Sequence, residues 1–279
     1  MIKSILLAID GSVYTESVLA YGIEFAQKLN AFLRAVTIVD VRIYEWVMNT
    51  GGEGYMPLIP SNVFKDESFN FLNKRADTII DKVNKTLEQS TLSFEANKYN
   101  GSPVEMICNM ARQVDLAILG ARGDYERWGD NLLGATLESV SRQCQIPLMI
   151  VDKKYLSVNS IICAYDRSEY SNRALKLSAY LAQIMKLPLE VVTVNNNDSD
   201  GEITLNEAIS YLQPYKIEIS FKREKGDAAK VLSQMTHRAT HPVLLIMGCY
   251  GHSRIREAIL GSTTVQVMRK AVKPIILTK

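Results

Sequence analysis

Met247, Gly248, Cys249, Tyr250, Gly251, His252 and Ser253 are followed by Gly261, Ser262, Thr263 and Thr264, with nine residues between Gly251 and Gly261. This is the chemistry of an anion cradle. The glycines leave backbone N–H groups bare, and Gly261 with Ser262 can open a helix whose positive end faces a phosphate. The apolar run Val243 to Met247 reads as a buried parallel strand that delivers the turn. No lysine follows in a Gly-x4-Gly-Lys-Ser/Thr pattern, so the charge would be met by backbone amides and hydroxyls. The plainer alternative is that these are turn glycines only, but a turn does not require the paired Gly261-Ser262.

Other residues offer less chemistry. The histidines are His237, His241 and His252. His237 and His241 have helical spacing beside Pro242 but no acidic or cysteine partner nearby, so they read as an exposed helix end and not as a metal site. His252, inside the glycine loop, could donate to phosphate or face water. No Gly-x-Ser-x-Gly elbow, Ser-Gly-Gly-x-Asp-Ser loop or His-x-Gly-His motif is present. Binding is therefore expected rather than turnover.

These residues sit in a repeat. Ser4 to Ser12 matches Ser160 to Ser168 at an offset of 156 residues, and Tyr14, Leu19, Ala26, Leu33 and Thr37 fall in register on Tyr170, Leu175, Ala182, Leu189 and Thr193. A period this long marks duplicated domains and not a solenoid. Gly101 corresponds to Gly226 at an offset of 125, so the first copy carries an insertion between its second and third strands. Gly120, Gly123 and Gly134 echo Gly248, Gly251 and Gly261, and Ile146 to Val151 echoes Val272 to Leu277. Within each copy apolar strands alternate with amphipathic helices: Ile5 to Ile9 and Leu33 to Val39 read as strands. Thr15 to Leu29 reads as a helix with Val18, Leu19, Gly22, Phe25, Ala26 and Leu29 on one face. Strands joined through helices run parallel. Ser12 and Ser168 are placed to cap helices, and Asp10 and Asp166 lie at the carboxyl edge of the sheet, where such folds bind ligands or simply cap a turn.

Composition narrows the class. The 279 residues are 47% hydrophobic, enough for two cores, and 32 basic against 30 acidic side chains leave a net charge of +2 with no case for nucleic acid. Cys108, Cys144, Cys163 and Cys249 have no CxxC spacing and read as reduced, buried thiols. No apolar stretch reaches the roughly 18 residues that span a bilayer, and the chain begins on a strand, so a cytoplasmic protein without membrane contact is expected.

On these motifs the chain resembles a tandem universal stress protein, with domains at residues 1–153, carrying an inserted loop at about 41–70, and 157–279. The family pattern Gly-x2-Gly-x9-Gly-Ser/Thr is met in full by the second copy. The resemblance implies an α/β fold of the adenine-nucleotide alpha-hydrolase-like kind, with two doubly wound parallel five-stranded sheets in strand order 3-2-1-4-5. It implies ATP as ligand, Mg2+ possible with it, and a stress-response switch or scaffold that is a slow ATPase at most. By position, Ala164 and Asp166 would border the adenosine, and Val194 would offer backbone groups to adenine. Met247, Gly248, Gly251, His252, Ser253, Gly261, Ser262, Thr263 and Thr264 would line ribose and phosphates.

The first copy departs from the pattern. Ten residues separate Gly123 from Gly134, and Ala135 replaces the hydroxyl residue. Asp124, Glu126 and Asp130 add negative charge that only a metal or Arg122 and Arg127 would offset. A weaker second site there would comprise Ala8, Asp10, Ile38, Gly120, Gly123, Gly134 and Thr136. Val41 to Phe71 reads as loop, too apolar for a plain linker, followed by a surface helix over Glu67 to Leu87 with Phe71, Ala76, Ile79, Ile80 and Val83 at helical spacing. Trp46, Tyr55 and Trp128 would cover a sheet edge or form a binding surface. Leu148 to Val151 and Ile275 to Leu277, as edge strands, would pair the copies into an internal pseudo-dimer, with a homodimer also possible. A nucleotide-independent scaffold and a binder of AMP or a cyclic nucleotide stay open beside ATP.

Overall fold

A computed structural model describes residues 1–40, 62–123, 133–251, 260–272 and 274–279. Among them the first half runs β1 (Ser4–Ala8), α1 (Thr15–Leu29), β2 (Phe32–Asp40), α2 (Asn62–Glu88), β3 (Phe94–Gly101), α3 (Pro103–Ala111), β4 (Leu116–Gly120), α4 (Ala135–Gln143) and β5 (Leu148–Val151). The second half repeats it as β6 (Ser160–Ala164), α5 (Glu169–Met185), β7 (Leu189–Val194), α6 (Asp198–Leu212), β8 (Ile219–Glu224), α7 (Ala228–Arg238), β9 (Val243–Gly248), α8 (Ser262–Lys270) and β10 (Ile275–Thr278).

Each half lays down five parallel strands in the expected order 3-2-1-4-5, and the two sets join edge to edge into one ten-stranded sheet. The joint is the antiparallel pair β5·β10, with Ile275 opposite Ile150, Ile276 opposite Met149 and Leu277 opposite Leu148. Pairing these edges satisfies backbone groups that would otherwise stay open to other chains. Polar contacts reinforce the joint. The Tyr21 hydroxyl donates to the Leu156 carbonyl at 3.0 Å and accepts from its N–H at 3.3 Å. Buried Glu24 accepts from Ser157 Oγ at 2.7 Å and from the Tyr155 hydroxyl at 3.2 Å. Burial pushes the Tyr21 phenol up to about 12.

Helices cover both faces. One apolar cluster includes Phe25, Leu29, Val83, Leu87, Leu175, Leu181 and Leu212 and is continuous across both halves; the other includes Leu6, Ile107, Val140, Leu232, Val267 and Met268. Each such side chain contributes about 1.5–3 kcal/mol by leaving water. Helix α1 matches its sequence pattern, and all six apolar-face residues are buried. Helix α2 begins at Asn62, earlier than the spacing suggests, so part of the expected loop is helical. Its buried stripe is Ala76, Val83 and Leu87 with Ile79 and Ile80 half-buried, whereas Phe71 is 68% exposed. The stripe from 76 to 87 keeps the i, i+3, i+4, i+7 pattern, and Phe71 falls before that stripe meets the sheet.

Repeat register extends to backbone detail. Asn30 and Lys186, at the 156-residue offset, both end their helices in the left-handed region with φ of 50° and 54°. Thr37 and Thr193 both donate side-chain hydrogen bonds back to the first strand's exit, to Ile9 O at 3.0 Å and Tyr165 O at 3.1 Å.

Candidate functional site

The carboxyl edge carries the same turn twice. Asp10 Oδ1 accepts from the Ser12 N–H at 3.0 Å, and Asp166 Oδ1 accepts from the Ser168 N–H at 3.0 Å. Both aspartates therefore cap a turn, as their plainer interpretation has it. At the residue between, Gly11 has φ +78° and Arg167 has φ +65°. The second half tolerates a side chain in this strained region, and the Arg167 guanidinium pairs with Asp200. Ser168 does cap α5, accepting from the Ser171 N–H at 3.2 Å. Ser12 does not cap α1: its Oγ accepts from the Tyr14 N–H, and the helix begins at Thr15 after an extra turn.

The glycines of the two motifs divide by role. A Cβ on Gly120 would stand 2.6 Å from Tyr14 Cβ, and one on Gly248 would stand 2.8 Å from the Tyr170 carbonyl carbon and 2.9 Å from the Ser171 nitrogen. The first glycine is thus required for the start of α1 or α5 to pack on β4 or β9. A Cβ on Gly123 would meet Asp10 Oδ2 at 2.6 Å, and one on Gly251 would meet Asp166 Oδ2 at 3.2 Å. A side chain at the second glycine would crowd the carboxylate. Gly261 is different, because its nearest neighbour, Cys249 O, would be 3.5 Å from a Cβ and its φ is −56°. Space does not demand glycine there. Helices α5, α6 and α7 are capped by Ser168, Asn197 and Asp227, whereas α8 opens on Gly261, which has no side chain to cap its first N–H groups.

In the second half Ala164 and Val194 end the adjacent parallel strands β6 and β7, and buried Met247 lies in β9 on the other side of β6. Ser262 is exposed and Thr263 half-buried in the first turn of α8. Thr264, 2% exposed, departs from its expected role: its hydroxyl donates to Cys249 O at 2.9 Å and so holds the turn instead of facing a ligand. His252 and Ser253 lie outside the described residues, as do Trp46, Tyr55, Asp124, Glu126, Arg127, Trp128 and Asp130.

The first half contains a cavity of about 430 Å³ at the switch point between β1 and β4. All seven residues of the weaker expected site, Ala8, Asp10, Ile38, Gly120, Gly123, Gly134 and Thr136, line it. Sequence reasoning missed Tyr14, Thr15, Asp40, Ile107, Leu119 and Leu137, which also line it. The repeat offered a signal for Asp40, which ends β2 where Asn196 follows β7 in the second copy. Leu137 stands where the second copy has Thr264, so one half seals with an apolar side chain what the other ties by a hydrogen bond.

Beyond the edge, His237 and His241 are exposed at the end of α7, bonded to the Lys270 carbonyl and to Ser160 Oγ, each at 2.9 Å. All four cysteines are free, three buried and Cys108 half-buried. Burial raises the Cys163 thiol to about 12 and the Cys108 and Cys249 thiols to about 11. Lys279, whose ammonium donates to Ser141 O across the joint and lies 5.2 Å from the Tyr250 ring centre, is lowered by the same desolvation. Among the described residues no helix is long and apolar enough to cross a membrane.

A family model described as the universal stress protein family matches residues 1–152 and 202–279. A universal stress protein of Synechocystis sp. is 27% identical over 286 residues, covering 98% of this chain and 99% of that protein. One from Bacillus subtilis is 26% identical over 153 residues, 54% of this chain and 99% of its own length. The crystal structure of a universal stress protein from Archaeoglobus fulgidus superposes with a TM-score of 0.78 at 21% identity, covering 99% of this chain and 98% of that one, a likeness of fold.

Proposed function

Because this chain belongs to the universal stress protein family, we propose that it binds ATP in its second half and works as a nucleotide-occupied switch or scaffold in the cytoplasmic stress response. The observation that carries this is the start of α8. Gly261 leaves the first-turn N–H groups without a side-chain cap, although its surroundings have room for one. Bare N–H groups at a helix start suit an anion. Ser262 and Thr263 add hydroxyls, and Gly251 has no Cβ to crowd the Asp166 carboxylate, which such a side chain would approach to 3.2 Å. Ala164 and Val194 would border the nucleoside, with Met247 and Gly248 behind it. Mg2+ would come with the triphosphate, held mainly by phosphate oxygens and water. Four free thiols accord with a reducing compartment.

A nucleotide-independent scaffold is the second reading. It draws on the packing role of Gly120 and Gly248, which the fold requires whether or not a ligand binds. The deciding experiment is mass spectrometry of nucleotide released from the denatured protein, with Gly261→Glu as control. About one ATP per chain, lost in the variant, is expected. No nucleotide, and none bound on titration with millimolar Mg-ATP, would leave the scaffold as the function.

A further inference from the structure

We propose that Ser160 is a nucleophile for acyl transfer with His241 as its base, in a cleft at the amino ends of the second half's strands, and that its substrates are compact esters with an apolar acyl group. Ser160 opens β6, and His241 lies between α7 and β9. Ser160 Oγ and His241 Nε2 are 2.9 Å apart, and Thr240 Oγ1 stands 3.3 Å from Nδ1 of the same ring. With the ring proton on Nδ1 and donated to Thr240, Nε2 accepts from the serine hydroxyl. A hydroxyl, a base within hydrogen-bond reach and a third group that orients the base are the parts of an activated nucleophile.

The pair lines a cleft of about 580 Å³. Ile162, Leu189, Val231 and Met235 give it an apolar wall, which suits the acyl body. Three cations line it as well. Lys222 pairs with Glu224 at 2.8 Å and Lys225 with Asp198 at 2.7 Å, whereas Arg238 has no ion pair among the described residues. Arg238 is the charge left to stabilise the oxyanion that forms on the substrate carbonyl.

The first half lacks this arrangement. Gly226 answers Gly101 at an offset of 125, but Leu244 answers Leu116 at 128, so the stretch that carries Thr240 and His241 is longer by three residues in the second copy. In the first copy Ser4 Oγ donates to Asp115 Oδ2 at 3.4 Å, and that carboxylate also takes the Lys3 and Ser4 N–H groups. Arg34 on β2 bridges to Glu95 on β3 at 3.2 Å. The second copy has Val243 for Asp115, Glu190 for Arg34 and Ser220 for Glu95. These changes leave the serine to His241 and remove the bridge across the strands.

In the first step Ser160 Oγ bonds to the acyl carbon as its proton passes to Nε2. The bond from that carbon to the leaving alcohol oxygen then breaks, and the oxygen takes the proton. Water gives a proton to Nε2 as its oxygen adds to the acyl-serine, and Ser160 leaves with that proton restored. This chemistry lies at the opposite edge of the sheet from the expected nucleotide site and does not rest on ATP binding.

The test incubates the full chain with an alkyl fluorophosphonate, whose phosphorus takes the place of the acyl carbon, and reads intact mass and peptide maps. A single adduct on Ser160 is expected, absent in Ser160→Ala. His241→Gln can still hydrogen-bond the hydroxyl but supplies no base, and should slow labelling about 10²- to 10⁴-fold. Turnover of p-nitrophenyl acetate should fall in both variants, and Thr240→Val should lower kcat with KM unchanged. Label that misses Ser160, labelling of Ser160 at the parent rate in His241→Gln, or ester turnover that none of the three substitutions lowers would each overturn the proposal.

Discussion

Two glycines of one motif should respond oppositely to substitution. In Gly248→Ala the new methyl would lie 2.8 Å from the Tyr170 carbonyl carbon and 2.9 Å from both the Ser171 nitrogen and Tyr170 Cβ. Carbon contacts relax only at about 3.5 Å or more, so the start of α5 must retreat by roughly half an ångström. Two of these atoms are backbone, and a rotamer change cannot relieve them. Overpacking of this kind costs about 1–3 kcal/mol, which in a chain of this size lowers Tm by about 2 to 12 °C. Gly261→Ser meets only Cys249 O at 3.5 Å and supplies the cap that α8 lacks. It should leave stability unchanged or raise it by a few tenths of a kcal/mol. Its hydroxyl competes for the N–H groups assigned to phosphate, so ATP affinity should fall. Thermal unfolding without nucleotide, followed by ATP titration of both variants, makes the comparison. A Gly248→Ala protein that melts within about 1 °C of the parent, or a Gly261→Ser protein destabilised by more than about 1 kcal/mol, would refute this division of roles.

Three further outcomes follow from the fold. The folded Cys249 thiol, at about 11, lies above the ordinary 9.0, so its contribution is fully present below about pH 9 and lost as pH rises through about 11, roughly 2 kcal/mol by about pH 10.5. Cys249→Ala, which places there the residue found at Ala121, should flatten that loss in urea unfolding at about pH 8 and about pH 10.5. Tyr21→Phe removes the hydroxyl that bonds both backbone groups of Leu156 and should cost about 1–3 kcal/mol, with faster proteolysis between the halves. Lys186→Gly relieves a non-glycine residue at φ 54° on an exposed helix end and should raise stability by about 0.5–1 kcal/mol in calorimetry.

Much was legible in the sequence because the signals are local or repeated. The apolar faces of α1, the alternation of strand and helix, and the glycine spacing all follow from short-range sterics and burial, and the 156-residue offset marks both copies of the Asp turn at Asp10 and Asp166. The pairing of Leu148–Val151 with Ile275–Thr278 was also foreseeable, since an apolar edge strand seeks another. Other features depended on what the chain meets in space. Gly120 and Gly248 look like ligand glycines in sequence, and only the approach of Tyr14 and Tyr170 shows that packing requires them. Thr264 reads as a phosphate hydroxyl until its bond to Cys249 O is seen, and Asp40 is marked in sequence only by its register with Asn196 until β2, β1 and β4 bring it to the same cavity as Arg122. Residue types and spacing determined the strands, the helices and the positions of the turns, because those rest on periodicity and backbone freedom. Tertiary structure alone decided which side chains face a ligand and which are spent on their neighbours, because that depends on contacts between residues far apart in the chain.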